Sequence, residues 1–167
     1  MQETFDPVDL RLLDLLQDDA SLTNVELAER AHTSPATALR RVRRLEDSGV
    51  IERRIALLSP ARLGEGLTAL VEITLDRQGA EHLDAFEALA VADAGVQQVW
   101  RVSPGPDFLL VAHTVDMAGY HALVQRLFTQ HANVRNVKAF FAVKRAKFDP
   151  RLPLPRPAAT SAAPPAL

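Results

Sequence analysis

The sequence of 167 residues contains no cysteine. Disulfide bridges, thiolate zinc sites and cysteine nucleophiles are therefore excluded within it. No apolar run approaches the roughly 18 residues that a membrane span requires, and the opening MQETFDPVDL lacks the basic and apolar regions of a signal peptide. We expect a cytoplasmic protein with no membrane partner.

Sequence motifs for catalysis are also lacking. Neither a G-x-S-x-G nucleophile motif nor a glycine-rich phosphate loop occurs. The five histidines lie far apart, without the helical i, i+3 or i, i+4 pairing and the acidic neighbours of a metal site. We therefore predict no metal site, no cofactor and no enzymatic activity.

Positive charge is not in excess, since 19 lysines and arginines face 21 acidic residues and the net charge is −2. Binding to nucleic acid through bulk charge is excluded, so any such contact must come from a local patch. The stretch SPATALRRVRRLEDSG, residues 34–49, has such a patch, with four arginines within five positions.

Helix-start signals predict three helices in the first fifty residues. Asp6, Thr23 and Ser34 are residues of the N-cap type, each followed by proline at the first helical position or by a glutamate that completes a capping box. Gly49 ends the third helix. Only about three residues separate the second and third helices, as in a helix-turn-helix motif, which we predict at about residues 24–43.

The remaining segments predict the fold class. The segment after Gly49 alternates apolar and polar residues imperfectly, as a small β wing or a linker would. From Leu67 the order of patterns is strand, helix, strand, strand, helix, strand, which is the ferredoxin-like βαββαβ arrangement. We predict an α+β protein with a winged helix-turn-helix domain at 1–66, a ferredoxin-like domain at 67–147 and a disordered, proline- and alanine-rich tail at 148–167.

Helical projection gives the third helix an apolar side with Leu39, Val42 and Leu45, and an opposite side with Thr37 and the four arginines. For an arbitrary helix, such arginines are simply solvated or pair with nearby acids, here Glu46 and Asp47. Here the capped helix and short turn that precede them are typical of a recognition helix, whose small N-terminal residues enter the major groove of DNA.

The position of each residue along this helix predicts its role. Residues of the N-terminal half are predicted to contact base edges: Ala36, Thr37, Arg40 and Arg41. Residues further along the helix and in the wing are predicted to contact phosphates: Arg43, Arg44, Arg53 and Arg54. Ser34 is predicted to cap the helix and to lie near a phosphate.

These residues resemble the Lrp/AsnC family of bacterial and archaeal transcription regulators over about residues 6–147. The D-x-x-D-x-x-x-L-x-x-L motif from Asp6, the segment TNVEL, and SP followed by V-x-R-L-E are similar to its helix-turn-helix. VEITLD, the loop before DFLL, and VDMAGYHALV are similar to its effector-binding domain. The resemblance implies a regulator of transcription that binds double-stranded DNA. It also implies a homodimer built on paired C-terminal sheets, often assembled into tetramers or octamers, with an amino acid as the usual effector.

The resemblance also implies effector-binding residues. The matching positions are Gly105, Asp107, Met117, Phe140, Phe141 and Ala142. The family loop usually reads G-D-x-D-Y, whereas residues 104–108 here read PGPDF, and each proline lacks an N–H that could meet a ligand carboxylate. The two phenylalanines are alternatively core or interface residues, and Asp107 alternatively closes a turn.

The predicted function is sequence-specific regulation of transcription, modulated by an amino acid or a related small effector. Two alternatives remain open at this point: a DNA-architectural protein with little sequence preference, and a small ferredoxin-like enzyme based on the C-terminal half.

Overall fold

The computed structural model describes residues 4–64 and 66–154. The chain divides into two compact units. The first contains the described residues 4–57 and 148–154, and the second contains 58–64 and 66–147. The part of the predicted disordered tail at 155–167 lies outside the described residues.

Three helices form the first unit: α1 Pro7–Asp18, α2 Asn24–Arg30 and α3 Pro35–Asp47. The predicted N-caps are confirmed, because the side chains of Asp6, Thr23 and Ser34 each accept a hydrogen bond from a backbone N–H in the first turn of their helix. The buried apolar residues that these helices share are Leu12, Leu22, Leu27, Ala28, Ala31, Ala38 and Val42.

A tight turn joins α2 to α3. His32 has a φ of 54°, a left-handed conformation that histidine adopts more readily than most residues. The Thr33 amide donates to the Ala28 carbonyl at 2.9 Å, so the end of α2 is closed by a backbone hydrogen bond. The predicted helix-turn-helix is confirmed, and α3 is its second helix.

The segment after α3 does not form the strands of a wing. Gly49, with a φ of 77°, ends the helix, and described residues 50–64 contain no strand, only the short helix α4 at Pro60–Leu63. A strand needs a neighbouring strand for its backbone groups, and the first unit offers none among its described residues. Of the two predicted alternatives, the structure has the linker.

The second unit has the predicted order of elements: β1 Leu67–Leu75, α5 Ala80–Ala92, β2 Val96–Arg101, β3 Phe108–Thr114, α6 Met117–Val124 and β4 Val134–Phe141. A π-helical segment at Gln125–Thr129 extends α6. All pairings are antiparallel and the strand order is β2-β3-β1-β4, which confirms the ferredoxin-like fold.

The helices cover one face of this sheet. Side chains from alternate strand positions, such as Val71, Ile73 and Leu110, pack there against Phe86 and Leu123. The opposite face is open and carries four exposed apolar residues: Leu70, Trp100, Leu109 and Phe140. We call these four residues the open-face cluster.

None of the helices in the described part of the chain is long and apolar enough to cross a membrane.

Candidate DNA-binding and effector sites

The exposed side of α3 forms a shallow cationic surface. Arg40 and Arg43 are exposed, and neither forms an ion pair within the described parts of the chain. The residues that line this surface are Ala36, Leu39, Arg40, Arg43, Arg44, Asp47 and Ser48. Unpaired guanidinium groups beside a small residue can approach the edge of a base or a phosphate.

Arg41 does not lie on this surface, which corrects the helical projection. Its Nη1 atom is 2.5 Å from Asp6 Oδ2 and 2.8 Å from Asp9 Oδ1, and only 18% of its side chain is exposed. The projection places Arg41 at the border of the apolar side, and its long side chain extends from there to the carboxylates of α1. The predicted contact of Arg41 with base edges is therefore not supported by its position.

Arg44 has a mixed environment. Its Nη2 atom lies 2.7 Å from Asp9 Oδ2, while 46% of its side chain remains exposed. It both pairs with α1 and borders the cationic surface. The four arginines therefore divide into an outward pair, Arg40 and Arg43, and a pair bound to Asp9, Arg41 and Arg44.

Asp9 is ionised in spite of its burial. Desolvation favours the neutral carboxyl, but hydrogen bonds from Arg41 and Arg44 outweigh it, so the pKa of Asp9 lies below its ordinary value. The hydrogen bonds that Arg41 donates to Asp9 and to Asp6 raise the pKa of Arg41. From the sequence, Asp6 is predicted only as a helix cap, and Asp9 belongs only to the D-x-x-D motif. Two acids on the first predicted helix and four arginines on the third were the signal that could have predicted an ion pair between these helices.

The other predicted DNA-binding residues lie at the two ends of α3 and beyond it. The Ser34 hydroxyl accepts a hydrogen bond from the Thr37 amide at 3.2 Å and donates one to Thr37 Oγ1 at 2.8 Å. Arg54 Nη2 lies 2.8 Å from Glu46 Oε1, while Arg53 is exposed in the linker. Both linker arginines lie six or seven residues beyond the end of α3, in a segment that has no strand among described residues 50–64.

The predicted effector residues fall into two groups. Gly105 and Asp107 lie in the loop between β2 and β3, beside the end of β1. Asp107 Oδ2 accepts hydrogen bonds from the Leu75 amide at 2.7 Å and from Gln78 Nε2 at 3.3 Å. In this chain Asp107 therefore closes a turn, as the alternative interpretation predicted.

The second group lies at the opposite end of β1. The Ala142 amide donates to the Thr68 carbonyl at 2.9 Å, and Met117 begins α6 just after β3 ends. Thr68 and Leu75 lie seven residue steps apart on β1, or about 23 Å at roughly 3.3 Å per step. Within one chain, the two groups cannot line the same pocket.

Phe140 and Phe141 lie on opposite faces of the sheet. Phe140 pairs across from Leu70 and belongs to the open-face cluster. The ring of Phe141 packs edge-on against Tyr120 on the helix-covered face, with centroids 5.0 Å apart. At most one of the two phenylalanines can contact a ligand on a given face of the sheet.

Two protein families match consecutive parts of the chain. Residues 5–52 match the family described as winged helix-turn-helix DNA-binding. Residues 68–152 match the Lrp/AsnC ligand binding domain.

Similar proteins match nearly the whole chain. The leucine-responsive regulatory protein of Rhizobium meliloti is 38% identical, over 85% of this chain and 91% of that protein. The glutamate uptake regulatory protein of Zymomonas mobilis is 33% identical, over 93% and 94%. The structure of a transcriptional regulator from Neisseria meningitidis in complex with L-Met is 33% identical, with a TM-score of 0.80 over 90% of this chain and 97% of that one. An AsnC family regulator from Agrobacterium tumefaciens is 31% identical, with a TM-score of 0.81 over 89% and 97%.

Proposed function

The chain belongs to the Lrp/AsnC family of helix-turn-helix transcriptional regulators, and from this premise we propose that it binds DNA sequence-specifically under the control of an amino-acid effector. The observation that carries the proposal is the cationic surface of α3, where Arg40 and Arg43 are exposed and without ion-pair partners within the described residues. The helix that carries this surface has a capped N-terminus with small residues. The second helix of a helix-turn-helix needs such an N-terminus to enter the major groove.

Each exposed residue of α3 has a proposed role. Arg40 donates to a guanine edge and Ala36 allows close approach of the helix to the bases. Arg43 and the exposed part of Arg44 contact phosphates, as does Ser34 at the helix start. Thr37 lies beside Ser34 and contacts bases through its methyl group. Arg53 and Arg54 add phosphate contacts from the linker, where Arg54 exchanges Glu46 for a phosphate.

We propose that the active form is a homodimer formed through the open-face cluster. Four large apolar side chains on one uncovered sheet face are unusual for a surface that stays in water. A two-fold dimer presents two copies of α3 to half-sites about one turn of DNA apart, or a multiple of it. Further assembly to tetramers or octamers follows from the family resemblance alone.

The effector is proposed to be an amino acid held between protomers. The names of the leucine-responsive relative and of the L-Met complex support this ligand class for the present chain. The separation of Asp107 from Ala142 along β1 supports a site to which two copies of the chain contribute different groups. Pro104 and Pro106 remove two amides from the loop, so an ammonium contact to Asp107 is favoured over a carboxylate contact to that loop.

The remaining assignments are proposals of the same kind. The DNA-binding domain extends over residues 1–66 and the effector domain over residues 67–147. The protein acts in the cytoplasm and regulates transcription without catalysing a reaction.

Footprinting on the DNA upstream of the protein's own gene, with and without a panel of the twenty amino acids, tests this proposal. We expect protection at sites spaced by a whole number of helical turns, and a shift in affinity with one or a few amino acids. Protection that is uniform along the DNA would contradict sequence-specific binding. Protection that no amino acid changes would contradict the effector.

A further inference from the structure

Asp9 of α1 has a position that capping alone does not explain. Its side chain is only 2% exposed, although a carboxylate buried without partners is strongly unfavourable. Both oxygens are occupied, Oδ1 by Arg41 at 2.8 Å and Oδ2 by Arg44 at 2.7 Å and by the Asp6 amide at 3.2 Å. Both oxygens of Asp9 are thus paired between two helices, while Arg41 Nε is buried without a hydrogen-bond partner among the described residues.

The geometry of these contacts fixes α3 in two respects. Arg41 and Arg44 lie three positions apart, so they leave α3 on the same side, about one turn from each other. Two contacts at different heights to one buried carboxylate set the distance of α3 from α1 and its rotation about its own axis. Neighbouring residues of α3 point in directions about 100° apart. A rotation of the helix by part of that angle would therefore turn Arg40 away from the groove.

We propose that Asp9 is a positioning residue for DNA recognition, acting through Arg41 and Arg44. This inference rests on the proposed function, since it assigns to Asp9 the orientation of the helix that binds DNA. Asp9 touches no base or phosphate itself. It holds Arg41 away from the cationic surface and Arg44 at the border of that surface, so Arg40 and Arg43 are left as its arginines without an ion-pair partner in the described chain.

DNA-binding titrations at several salt concentrations distinguish a positioning role from a phosphate contact. Each phosphate contact that is lost lowers the slope of log K against log salt by about one. For Asp9→Asn and Arg41→Met, we expect the preference for specific over random DNA to fall tenfold or more with an unchanged salt slope. The matched control Arg43→Met, on the outward side of α3, lowers the slope by about one.

Two further variants separate positioning from loss of folding. Arg41→Lys keeps the charge and one donor to Asp9, so it recovers part of the preference that Arg41→Met loses. Circular dichroism at the titration temperature shows which variants are folded. The double variant Asp9→Leu with Arg41→Met replaces the buried ion pair by apolar side chains. We expect this variant to fold but not to recover the preference for specific DNA.

A salt slope reduced by Arg41→Met, with Asp9→Asn equal to the wild type in preference, would overturn the inference and return Arg41 to a DNA contact. Failure of the wild type to prefer any DNA sequence would overturn the proposed function, and the inference with it. The two outcomes can be told apart, because the second is measured on the wild type alone and the first requires the variants.

A separate observation concerns the described end of the chain. Arg151 Nη2 lies 2.9 Å from Asp14 Oδ1, and Arg151 Nη1 pairs with Asp18. The Leu152 amide donates to Gln17 Oε1 at 2.6 Å, and Gln17 Nε2 donates to the Leu152 carbonyl at 3.2 Å. Asp14 and the adjacent residues Gln17 and Asp18 lie about one turn apart on the same side of α1.

We infer that residues 151–154 are a structural part of the DNA-binding unit and hold α1 as a strap. Exposed ion pairs alone contribute little to stability, but here two pairs share one guanidinium and are joined by two hydrogen bonds to the backbone of the next residue. Leu152 and Leu154 also border an apolar depression with Leu13 and Leu16 of α1. Because the strap follows β4 in the chain, the effector domain is joined covalently to the DNA-binding unit at both of its ends.

Hydrogen exchange on full-length Arg151→Glu tests the strap. We expect the amides of α1 to exchange several-fold faster, and the difference from the wild type to shrink at high salt, where ion pairs are screened. Adding Asp14→Arg and Asp18→Arg reverses the charges and restores protection. A chain that ends at Leu154 retains the strap and is the matched control.

Equal exchange of α1 in Arg151→Glu and the wild type would overturn the strap. So would faster exchange in the chain that ends at Leu154, because the protecting segment would then lie further along the tail.

Discussion

Arg40 and Arg41 are neighbours in the sequence but have opposite environments in the fold. Arg40 is exposed to solvent, and Arg41 is bound to Asp6 and Asp9. Projection onto a helical wheel gives the direction of a Cα–Cβ bond, but it does not say where the end of a long side chain finds a partner. The buried acids of α1 decide the position of Arg41, and they lie some thirty residues away along the chain.

Replacement of Arg40 tests its proposed contact with a base. We expect Arg40→Ala to weaken binding to the preferred site by about 1–3 kcal/mol, with little effect on random DNA, because one bidentate base contact is lost. Titration of both DNAs by fluorescence anisotropy checks this. Equal weakening on the two DNAs would make Arg40 a phosphate contact instead.

The buried carboxylate of Asp9 predicts how stability depends on pH. Its pKa is lower in the folded than in the unfolded chain, so its contribution is fully present above the unfolded pKa, near 4. That contribution is lost as the pH falls through the lower, folded value. In urea unfolding between pH 7 and pH 2, we expect Asp9→Asn to show a smaller loss of stability below pH 4 than the wild type. Parallel curves for the two proteins would contradict this pairing.

Among the elements, the helices that begin at a local capping signal could be predicted from the sequence. The N-caps Asp6, Thr23 and Ser34 act within their own helix turn, so residue type and spacing were sufficient. The strands of the second unit followed from their alternation. The imperfect alternation of residues 51–59 left a wing or a linker open, because a strand also requires a partner and this pattern contains no information about one.

The candidate site was predictable to a smaller extent. Small and basic residue types in α3 indicated the DNA-binding side. The sequence could not show that the effector residues lie at opposite ends of β1. Their positions depend on the strand register, which places Ala142 beside Thr68 and Asp107 beside Leu75. The tail shows the same limit, since Arg151 has a fixed place only through Asp14 and Asp18 of α1.

Removal of the cap of α3 tests the stability of the recognition helix. Ser34→Ala deletes the acceptor of the Thr37 amide, so we expect a loss of about 1 kcal/mol in the free energy of unfolding. Ser59→Ala is the matched control, because Ser59 precedes α4 without a side-chain cap and should cost little. Chemical denaturation measures both. Equal losses would mean that the Ser34 hydroxyl does not stabilise α3.

At the scale of the whole molecule, the open-face cluster determines whether one chain can act alone. A sheet with helices on one face leaves the other face to water or to a partner. A dimer formed there would cover Leu70, Trp100 and Phe140 and would place two DNA-binding units on one DNA molecule.

A charge within this cluster tests the dimer. We expect Leu70→Glu, at a side chain 48% exposed, to convert the protein to monomers and to weaken binding to paired half-sites. Leu89→Glu is the control, since Leu89 is 44% exposed but lies on α5, away from the open face. Sedimentation velocity reports the mass. A dimer that persists in Leu70→Glu and is lost in Leu89→Glu would move the interface to the helices.

The central claim is that the outward side of α3 recognises a DNA sequence. The most direct measurement is the ratio of the wild-type affinity for the DNA upstream of its own gene to its affinity for random DNA, at physiological salt. We predict a ratio of roughly a thousand or more, as for dedicated regulators. A ratio near one would contradict the claim and favour a DNA-architectural protein.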